Sequence, residues 1–181
     1  MPSLCSDWLP SVDGLASAYA DGGSDAVCAA IATLAAPVLD QRLFTVNRFD
    51  APNMRVVRLF SSNPQAYPPG GSKSKAGMPW GRHVLLNQKI FVGEGSAAIV
   101  EAFDDHAAIA ALGLQSVINV PVVIANECLG TVNFLMSRTQ VRAEHIRFAQ
   151  MLALLTVPVF RTQPLDAQVC GPRPSSTARG D

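Results

Sequence analysis

The segment DDHAAIAALGLQSVINVPV, residues 104–122, places two carboxylates and a histidine directly before an apolar stretch. A neutral imidazole at His106 could act as a general base that Asp104 or Asp105 orients, and all three side chains are metal-ligating types. The structural alternative is an aspartate that caps a short helix, with His106 in its first turn. Adjacent helical residues point in different directions, so three consecutive side chains should not face one metal ion. The segment therefore predicts a helix cap that borders a pocket, without a metal site.

A second group of candidate side chains follows a long loop, residues 62–79, which holds four prolines and a Gly-Gly pair. Loops of this length in a compact domain are usually lids, binding loops or disordered segments. Trp80 and Arg82 are types that bind small planar or carboxylate-bearing ligands, although a tryptophan in the core beside a surface arginine fits equally well. Glu94 could accept a hydrogen bond from a ligand ammonium or amide, or be a solvated loop carboxylate.

Two asparagines, Asn119 and Asn133, interrupt apolar stretches that read as strands. A buried amide without a partner costs stability, so each must bond either to neighbouring backbone or to a ligand. The alternation of a strand places Asn119 on the face of Val117, and Asn133 on the face of Thr131 and Leu135. We predict that one such face forms a wall of a pocket in which the amides orient a ligand.

The elements that must position these residues are helices flanking two hairpins. The predicted elements are a helix at 25–40, a hairpin at 43–61, a short helix at 80–88, a short strand ending at 93, helices at 96–103 and 105–112, a hairpin at 116–136 and a helix at 140–157. Ser24 and Thr139 are predicted to cap the first and last helices, Pro37 to bend or shorten the first, and Pro158 to end the last. Ala125–Asn126 is the predicted turn of the second hairpin. This order predicts an α+β fold on an antiparallel sheet.

Composition narrows the class of protein. Hydrophobic residues make up 49% and charged residues 15%, and 14 basic side chains balance 14 acidic ones. A neutral chain supplies no field for nucleic acid or an anionic membrane, so neither is an expected partner. Because no apolar run approaches the roughly 20 residues of a membrane span and no secretion signal is recognisable, we expect a cytoplasmic protein. The four cysteines have no zinc-site spacing and are expected to be free thiols.

Several stretches between about Asp25 and Arg161 resemble the GAF domain family: PWGRHVL, FVG, FDDHAAIAALG, and SVINVPV followed by LGTVNFL. The resemblance implies an antiparallel sheet of five to six strands, with the terminal helices on one face and a ligand pocket under the loop and short helices on the other. It also implies a homodimer through the terminal helices. The resemblance places a GAF-like domain at 25–161. The weakly patterned residues 1–24 are expected to be a flexible or short-helical segment, and residues 162–181, rich in proline, serine and glycine, a disordered tail.

The resemblance is closest to single-domain bacterial members of the family. The cysteine set of its free methionine sulfoxide reductases is not matched, since only Cys128 lies in the core region and GTVNFLM lacks the acidic pair of that branch. The motifs of the bilin-attaching and cyclic-nucleotide-binding branches are not visible either. No P-loop, nucleophile elbow or zinc-hydrolase motif occurs, so no cofactor is expected.

Three hypotheses follow. The leading one is a homodimeric metabolite receptor whose pocket is lined by Trp80, Arg82, Phe91, Glu94, Phe103, His106, Asn119 and Asn133. The alternative is a small hydrolase, lyase or isomerase with His106 as general base, assisted by Asp104 or Asp105. The third is a dimerisation module whose cavity is filled by side chains.

Overall fold

The computed structural model describes residues 9–162, in which six antiparallel strands form one curled sheet. The strands are β1 Gln41–Asp50, β2 Arg55–Ser61, β3 Ser72–Ser74, β4 Phe91–Glu94, β5 Ser116–Ile124 and β6 Glu127–Met136. The helices are α1 Leu9–Asp21, α2 Ser24–Leu39, α3 Pro79–Gly81, α4 Gly95–Ala102, α5 His106–Ala111, α6 Ala143–Leu155 and α7 Val157–Thr162, and a π-helical turn, Arg82–Leu86, continues α3. The predicted α+β class and strand number are confirmed.

Two hairpins build the centre of the sheet, whose strand order is β3-β2-β1-β6-β5-β4. The second hairpin, β5 with β6, has the predicted bounds and turns at Ala125 and Asn126, where φ is 49° and 65°. Two consecutive left-handed residues match the right-handed twist of the flanking strands. β1 joins the two hairpins because its other edge pairs with β6, so residues far apart in the chain meet across the middle of the sheet.

One face of the sheet packs against α1, α2, α6 and α7 and forms the main hydrophobic core. Ile31 of α2 and Leu152 of α6 are completely buried against Phe44 and Phe134, whose ring centroids lie 5.2 Å apart. Ile118 of β5 lies on this face, as the predicted alternation requires. Side chains on the opposite face of β5 and β6 therefore point toward the loop and the short helices.

Several predicted helix boundaries are wrong. The N-cap of α2 is Gly23, since the Ser24 hydroxyl bonds instead to Thr162 Oγ1 at 2.6 Å. The C-terminal bound of α2, Leu39, lies within one residue of the predicted one, and the helix accommodates Pro37 because a proline in the last turn forgoes a single hydrogen bond. The 62–79 segment is not wholly irregular: β3 pairs with the edge of β2.

The C-terminal helix is also shorter than predicted. Thr139 does not cap it; α6 begins at Ala143, where His145 Nδ1 accepts a hydrogen bond from the Arg142 backbone N–H at 3.1 Å. Pro158 does not end a helix but lies in the first turn of α7, where its missing N–H has no acceptor to lose. Residues 9–21 of the predicted N-terminal segment form α1, while positions 1–8 and nearly all of the predicted tail lie outside the described residues.

Candidate functional site

A pocket opens on the sheet face opposite the main core, between the central strands, the 62–78 loop and the start of α5. The cavity volume of the pocket is about 70 Å³, measured as the space open to the centre of a water-sized sphere. The total space free of protein atoms is about 610 Å³, and this value includes open solvent at the mouth. Its lining residues are Leu43, Thr45, Asn47, Val56, Arg58, Tyr67, Gly71, Lys73, Lys75, Trp80, Phe103, Asp105, Ile109, Asn119, Asn133 and Leu135. The pocket is therefore open to solvent but narrow.

A relay of side-chain hydrogen bonds crosses the floor of the pocket. Trp80 Nε1 donates to Asn119 Oδ1 at 2.9 Å, and Asn119 Nδ2 donates to Asn133 Oδ1 at 2.8 Å. Asn133 Nδ2 then donates to Thr45 Oγ1 at 3.0 Å. All four residues are buried, so the relay satisfies groups whose burial alone would cost stability. It joins α3, β5, β6 and β1 and leaves the Thr45 hydroxyl hydrogen without an acceptor among the described residues.

Three cationic side chains line the loop side of the pocket. Arg58 extends from β2, Lys73 from β3 and Lys75 from the loop that follows. Lys75 is only 6% exposed, and its Nζ lies 5.0 Å from the centroid of the Trp80 ring. Burial lowers the pKa of Lys75, the charge of Lys73 lowers it further, and the carboxylates of residues 104 and 105 partly oppose this. Lysine is rarely buried without a partner, and here the ring of Trp80 provides a cation–π contact.

The Arg58 guanidinium is held rigidly over the ring of Tyr67. Its carbon lies 5.0 Å from the ring centroid, and Nη1 donates to the Pro68 carbonyl at 2.9 Å. A Cβ at Gly71 would approach Arg58 Nη1 to 3.2 Å, so the glycine leaves room for the guanidinium. Burial lowers the pKa of Arg58. The group is thus fixed in the wall of the pocket.

Asp105 supplies the negative charge of the pocket. Its carboxylate bonds to Lys73 Nζ at 2.8 Å, which links β3 to the start of α5 across the mouth. Burial alone would raise the pKa of Asp105, but the hydrogen bond and charge of Lys73 outweigh it and lower that pKa. Burial and the nearby Asp105 carboxylate raise the pKa of Tyr67 to about 12, although its hydroxyl makes no hydrogen bond of standard geometry in the described chain.

The sequence-predicted catalytic group is not assembled. Asp105 stands at the N-cap position of α5 but makes no capping hydrogen bond, because its carboxylate is taken by Lys73. His106 is half-buried and Asp104 is exposed, neither side chain lines the pocket, and no hydrogen bond joins the three among the described residues. Side chains at a helix start diverge, so the pocket receives Asp105 alone.

The predicted ligand-binding residues separate into two groups. Trp80, Phe103, Asn119 and Asn133 line the pocket. Arg82 does not: it is exposed and lines a surface hollow with Gly77 and Asn87. Glu94 is exposed, and its carboxylate accepts the Val141 backbone N–H at 2.6 Å, which ties the end of β4 to the segment before α6.

Phe91 lies behind the pocket wall. It contacts Phe103 edge to face, with centroids 6.0 Å apart, and faces a second hollow beyond Trp80 and His83. By the same measure the cavity volume of this hollow is about 340 Å³, which is larger than that of the pocket. The walls of the hollow are mostly apolar. We take the narrower pocket as the candidate site because convergent buried polar groups, rather than free volume, give a ligand its orientation.

The cationic residues of the pocket, Arg58, Lys73 and Lys75, were not predicted. The position of Arg58 could have been predicted from the sequence. It lies two residues after the buried Val56 in β2, and residues two apart in a strand share one face. Lys73 and Lys75 lie in a stretch whose composition indicates a solvated loop, so only the folded chain brings them inward. Among the described residues, no group of three or more histidine, cysteine, aspartate or glutamate side chains could hold a metal ion.

The architecture matches solved GAF domain structures. The GAF domain of an Acinetobacter phosphoenolpyruvate-protein phosphotransferase superposes with a TM-score of 0.66 and 15% identity, covering 88% of this chain and 96% of that one. The corresponding domain from Coxiella burnetii superposes with a TM-score of 0.67 and 13% identity, covering 88% of this chain and 96% of that one. A phycocyanobilin-bound GAF domain from a cyanobacterial phytochrome superposes with a TM-score of 0.61 and 15% identity, covering 86% of this chain and 94% of that one. No family model and no curated protein sequence matches the chain.

The fold and the site together define an α+β domain with a polar-floored pocket on one face of its sheet. In topology and extent this chain has a GAF-like fold, as the resemblance in its sequence predicted. At these identities the likeness establishes the fold alone. Within the described residues, every helix is too short or too polar to cross a bilayer.

Proposed function

We propose that this chain is a cytoplasmic receptor for a small molecule, which binds in the pocket beneath the 62–78 loop. The observation that carries the proposal is the relay from Trp80 through Asn119 and Asn133 to Thr45, a set of buried polar groups that forms the floor of the pocket. Such groups fix the orientation of a ligand. Trp80 and Phe103, whose ring centroids lie 6.4 Å apart, supply adjoining apolar surface.

The size of the pocket favours a compact metabolite over a large chromophore. The phycocyanobilin-bound neighbour holds a tetrapyrrole, whereas only about 70 Å³ here admits the centre of a water-sized sphere. Neither Cys28 nor Cys128, the two free cysteines described, lines the pocket. Covalent attachment of a bilin at this site therefore has no support.

The receptor is proposed to be a homodimer through its terminal helices. Met151 and Leu154 of α6 expose 45% and 61% of their surface, and Val12 of α1 exposes 45%. The Tyr19 hydroxyl donates to the Leu155 carbonyl, which holds α1 beside the end of α6. Burial of such side chains between two copies is favourable.

The enzyme hypothesis gains no support from the geometry. A general base must reach the proton that it removes, and His106 does not line the pocket. Turnover of candidate substrates by the wild type that His106→Ala abolishes would restore this hypothesis.

A thermal-shift screen with a metabolite library tests the receptor proposal. A ligand at about 100 times its Kd stabilises the folded state by about 2.7 kcal/mol, which is readily detected as a rise in Tm. The expected hit shifts wild-type protein and leaves an Asn133→Leu variant unshifted. Hits that stabilise both proteins equally would bind elsewhere, and a library without hits on a pocket open to small quenchers would contradict the proposal.

A further inference from the structure

We infer that the pocket is built for a compact oxyanion, the carboxylate or phosphate group of a small metabolite, held by Arg58 and Lys75. This inference rests on the proposed function and specifies the class of its ligand. It follows from the charges of the pocket, from its unused hydrogen-bond donors and from the scarcity of free acceptors.

The charges of the pocket do not balance. Arg58, Lys73 and Lys75 face a single lining carboxylate, Asp105, and Lys73 occupies that carboxylate at 2.8 Å. Neither Arg58 nor Lys75 forms an ion pair among the described residues. Lys75 is 6% exposed, so bulk solvent supplies little of its solvation. An anion in the pocket would offset both charges where screening by water is weak.

Residues that line the pocket also carry hydrogen-bond donors that the protein leaves unused. Arg58 Nε is buried and makes no hydrogen bond in the described chain. The Thr45 hydroxyl accepts from Asn133 and has its own hydrogen to donate. A buried donor without an acceptor costs stability, and a charged acceptor makes the strongest bonds to such groups. A carboxylate or phosphate offers several acceptor lone pairs within the space of one small group.

The acceptors of the relay and the Asp105 carboxylate are already engaged. Asn119 Oδ1 takes the indole N–H of Trp80, Asn133 Oδ1 takes the amide of Asn119, and Asp105 takes Lys73. A ligand with an ammonium group would therefore meet two cations and no free carboxylate. The narrow free space, about 70 Å³ for the centre of a water-sized sphere, restricts the bound group to a compact one.

Fluorescence quenching of Trp80 tests the inference, since this residue lines the pocket and the chain has two tryptophans. In a Trp8→Phe background, iodide, caesium and neutral acrylamide are compared at equal ionic strength, with inorganic phosphate and malonate as competitors. We expect iodide to quench several-fold better than caesium and at least one competitor to suppress this quenching. Protection by phosphate or by malonate identifies the preferred oxyanion.

Variants locate the anion. Lys75→Met and Arg58→Met should each reduce iodide quenching to the level of caesium. Arg82→Met should not, because Arg82 is exposed and does not line the pocket. Two cation variants are used so that one misfolded protein does not leave the question open, and circular dichroism verifies folding.

Two results would overturn the inference: iodide that quenches no better than caesium, or an anion effect that Arg82→Met removes and Arg58→Met does not. If acrylamide reaches Trp80 without any preference for anions, the receptor proposal stands and the ligand is of another class. If none of the three quenchers reaches Trp80, the pocket is closed and the receptor proposal fails as well.

Discussion

Asn119 and Asn133 lie directly opposite each other on β5 and β6, and the amide of the first donates to the carbonyl oxygen of the second at 2.8 Å. Each asparagine therefore provides the other with a partner that the apolar sheet face would otherwise deny it. This pair is the centre of the relay that joins Trp80 to Thr45, and it fixes the floor of the pocket without a ligand.

Asn119→Leu should destabilise the fold through the groups that it leaves behind. Trp80 Nε1 would lose its acceptor and Asn133 Oδ1 its donor, at about 1 to 3 kcal/mol for each buried group that becomes unpaired. Urea denaturation measures the free energy of unfolding. Thr45→Val is the milder variant for comparison. It leaves only the Asn133 amide without its acceptor, so it should lower the free energy of unfolding by less. Equal stability of all three proteins would show that the relay is not a structural element.

Asp105→Asn should loosen the 62–78 loop with little effect on global stability. The Lys73–Asp105 ion pair is partly exposed, so its loss should cost less than about 1 kcal/mol. Hydrogen exchange by mass spectrometry should show faster exchange in the loop and unchanged exchange in α2 and α6. The lowered pKa of Asp105 means that its contribution is present above the ordinary carboxyl range and disappears as pH falls through the lower, folded-state value. Wild-type protein at such acid pH should therefore resemble the variant, and protection that stays constant would exclude the ion pair as a latch.

His145 should make the fold less stable in mildly acid solution. The residue is 3% exposed, and its ring accepts the Arg142 backbone N–H while Arg138 Nη1 lies 2.7 Å from Nε2. Burial lowers the pKa of His145, and the charges of Arg138 and Arg142 lower it further. The unfolded chain thus binds a proton at a higher pH than the folded one. The contribution of the neutral ring is complete above the unfolded-state value, about 6.5, and is lost as pH falls toward the folded-state value.

The check is the free energy of unfolding between neutral pH and pH 5 for the wild type and for His145→Gln. Glutamine at this position keeps a capping acceptor and does not titrate. The variant should therefore have a flatter pH profile over this range. Parallel profiles for the two proteins would mean that other groups produce the slope.

Cys28 and Cys128 should resist alkylation in the native protein. Burial raises the pKa of the Cys28 thiol to about 12 and that of Cys128 to about 11, so the reactive thiolate is scarce at pH 8. Iodoacetamide labelling followed by peptide mapping should modify both cysteines slowly in buffer and rapidly in denaturant. Fast native labelling of Cys128 would contradict this environment and would reopen a redox role for it.

Leu154→Glu should produce a monomer if the terminal helices form the dimer interface. A charge at this 61% exposed position would be buried against the second copy, at a high cost in desolvation. Sedimentation equilibrium gives the mass in solution. Leu86→Glu is the matched control, since Leu86 is 55% exposed on the π-helical turn, away from α1 and α6. Dissociation by the control, or a dimeric Leu154→Glu protein, would place the interface elsewhere.

Features set by neighbours in the chain were predictable. The alternation of β5 and β6 and the turn residues Ala125 and Asn126 predicted the second hairpin with its bounds, because strand faces and tight turns depend on local geometry. The same alternation put Asn119 and Asn133 on the pocket face. What these amides bond to was not predictable, since Thr45 and Trp80 reach them from distant parts of the chain.

The wrong or missing predictions concern side-chain directions and contacts that short sequence patterns do not determine. Arg82 was expected in the pocket because it follows Trp80 closely, but the helical turn between them directs the two side chains differently. At the start of α6, His145 and not the predicted Thr139 makes the capping hydrogen bond, which its ring accepts from the Arg142 backbone N–H. Histidine is not a residue type that indicates a helix cap in a sequence. Arg58 turned inward because β2 pairs with β1 in a register where it lies opposite Asn47 on the pocket face.

The sequence by itself determined an α+β domain, its central hairpin and an asparagine-bearing wall, since periodicity and turn chemistry act over a few residues. Only the tertiary structure decided the chemistry of the pocket. Pairing of β2 with β1 and of β3 with β2 brings Arg58, Lys73 and Lys75 over a floor formed by β5 and β6. The burial of Lys75 then gives its charge an electrostatic weight that a solvated loop would have screened.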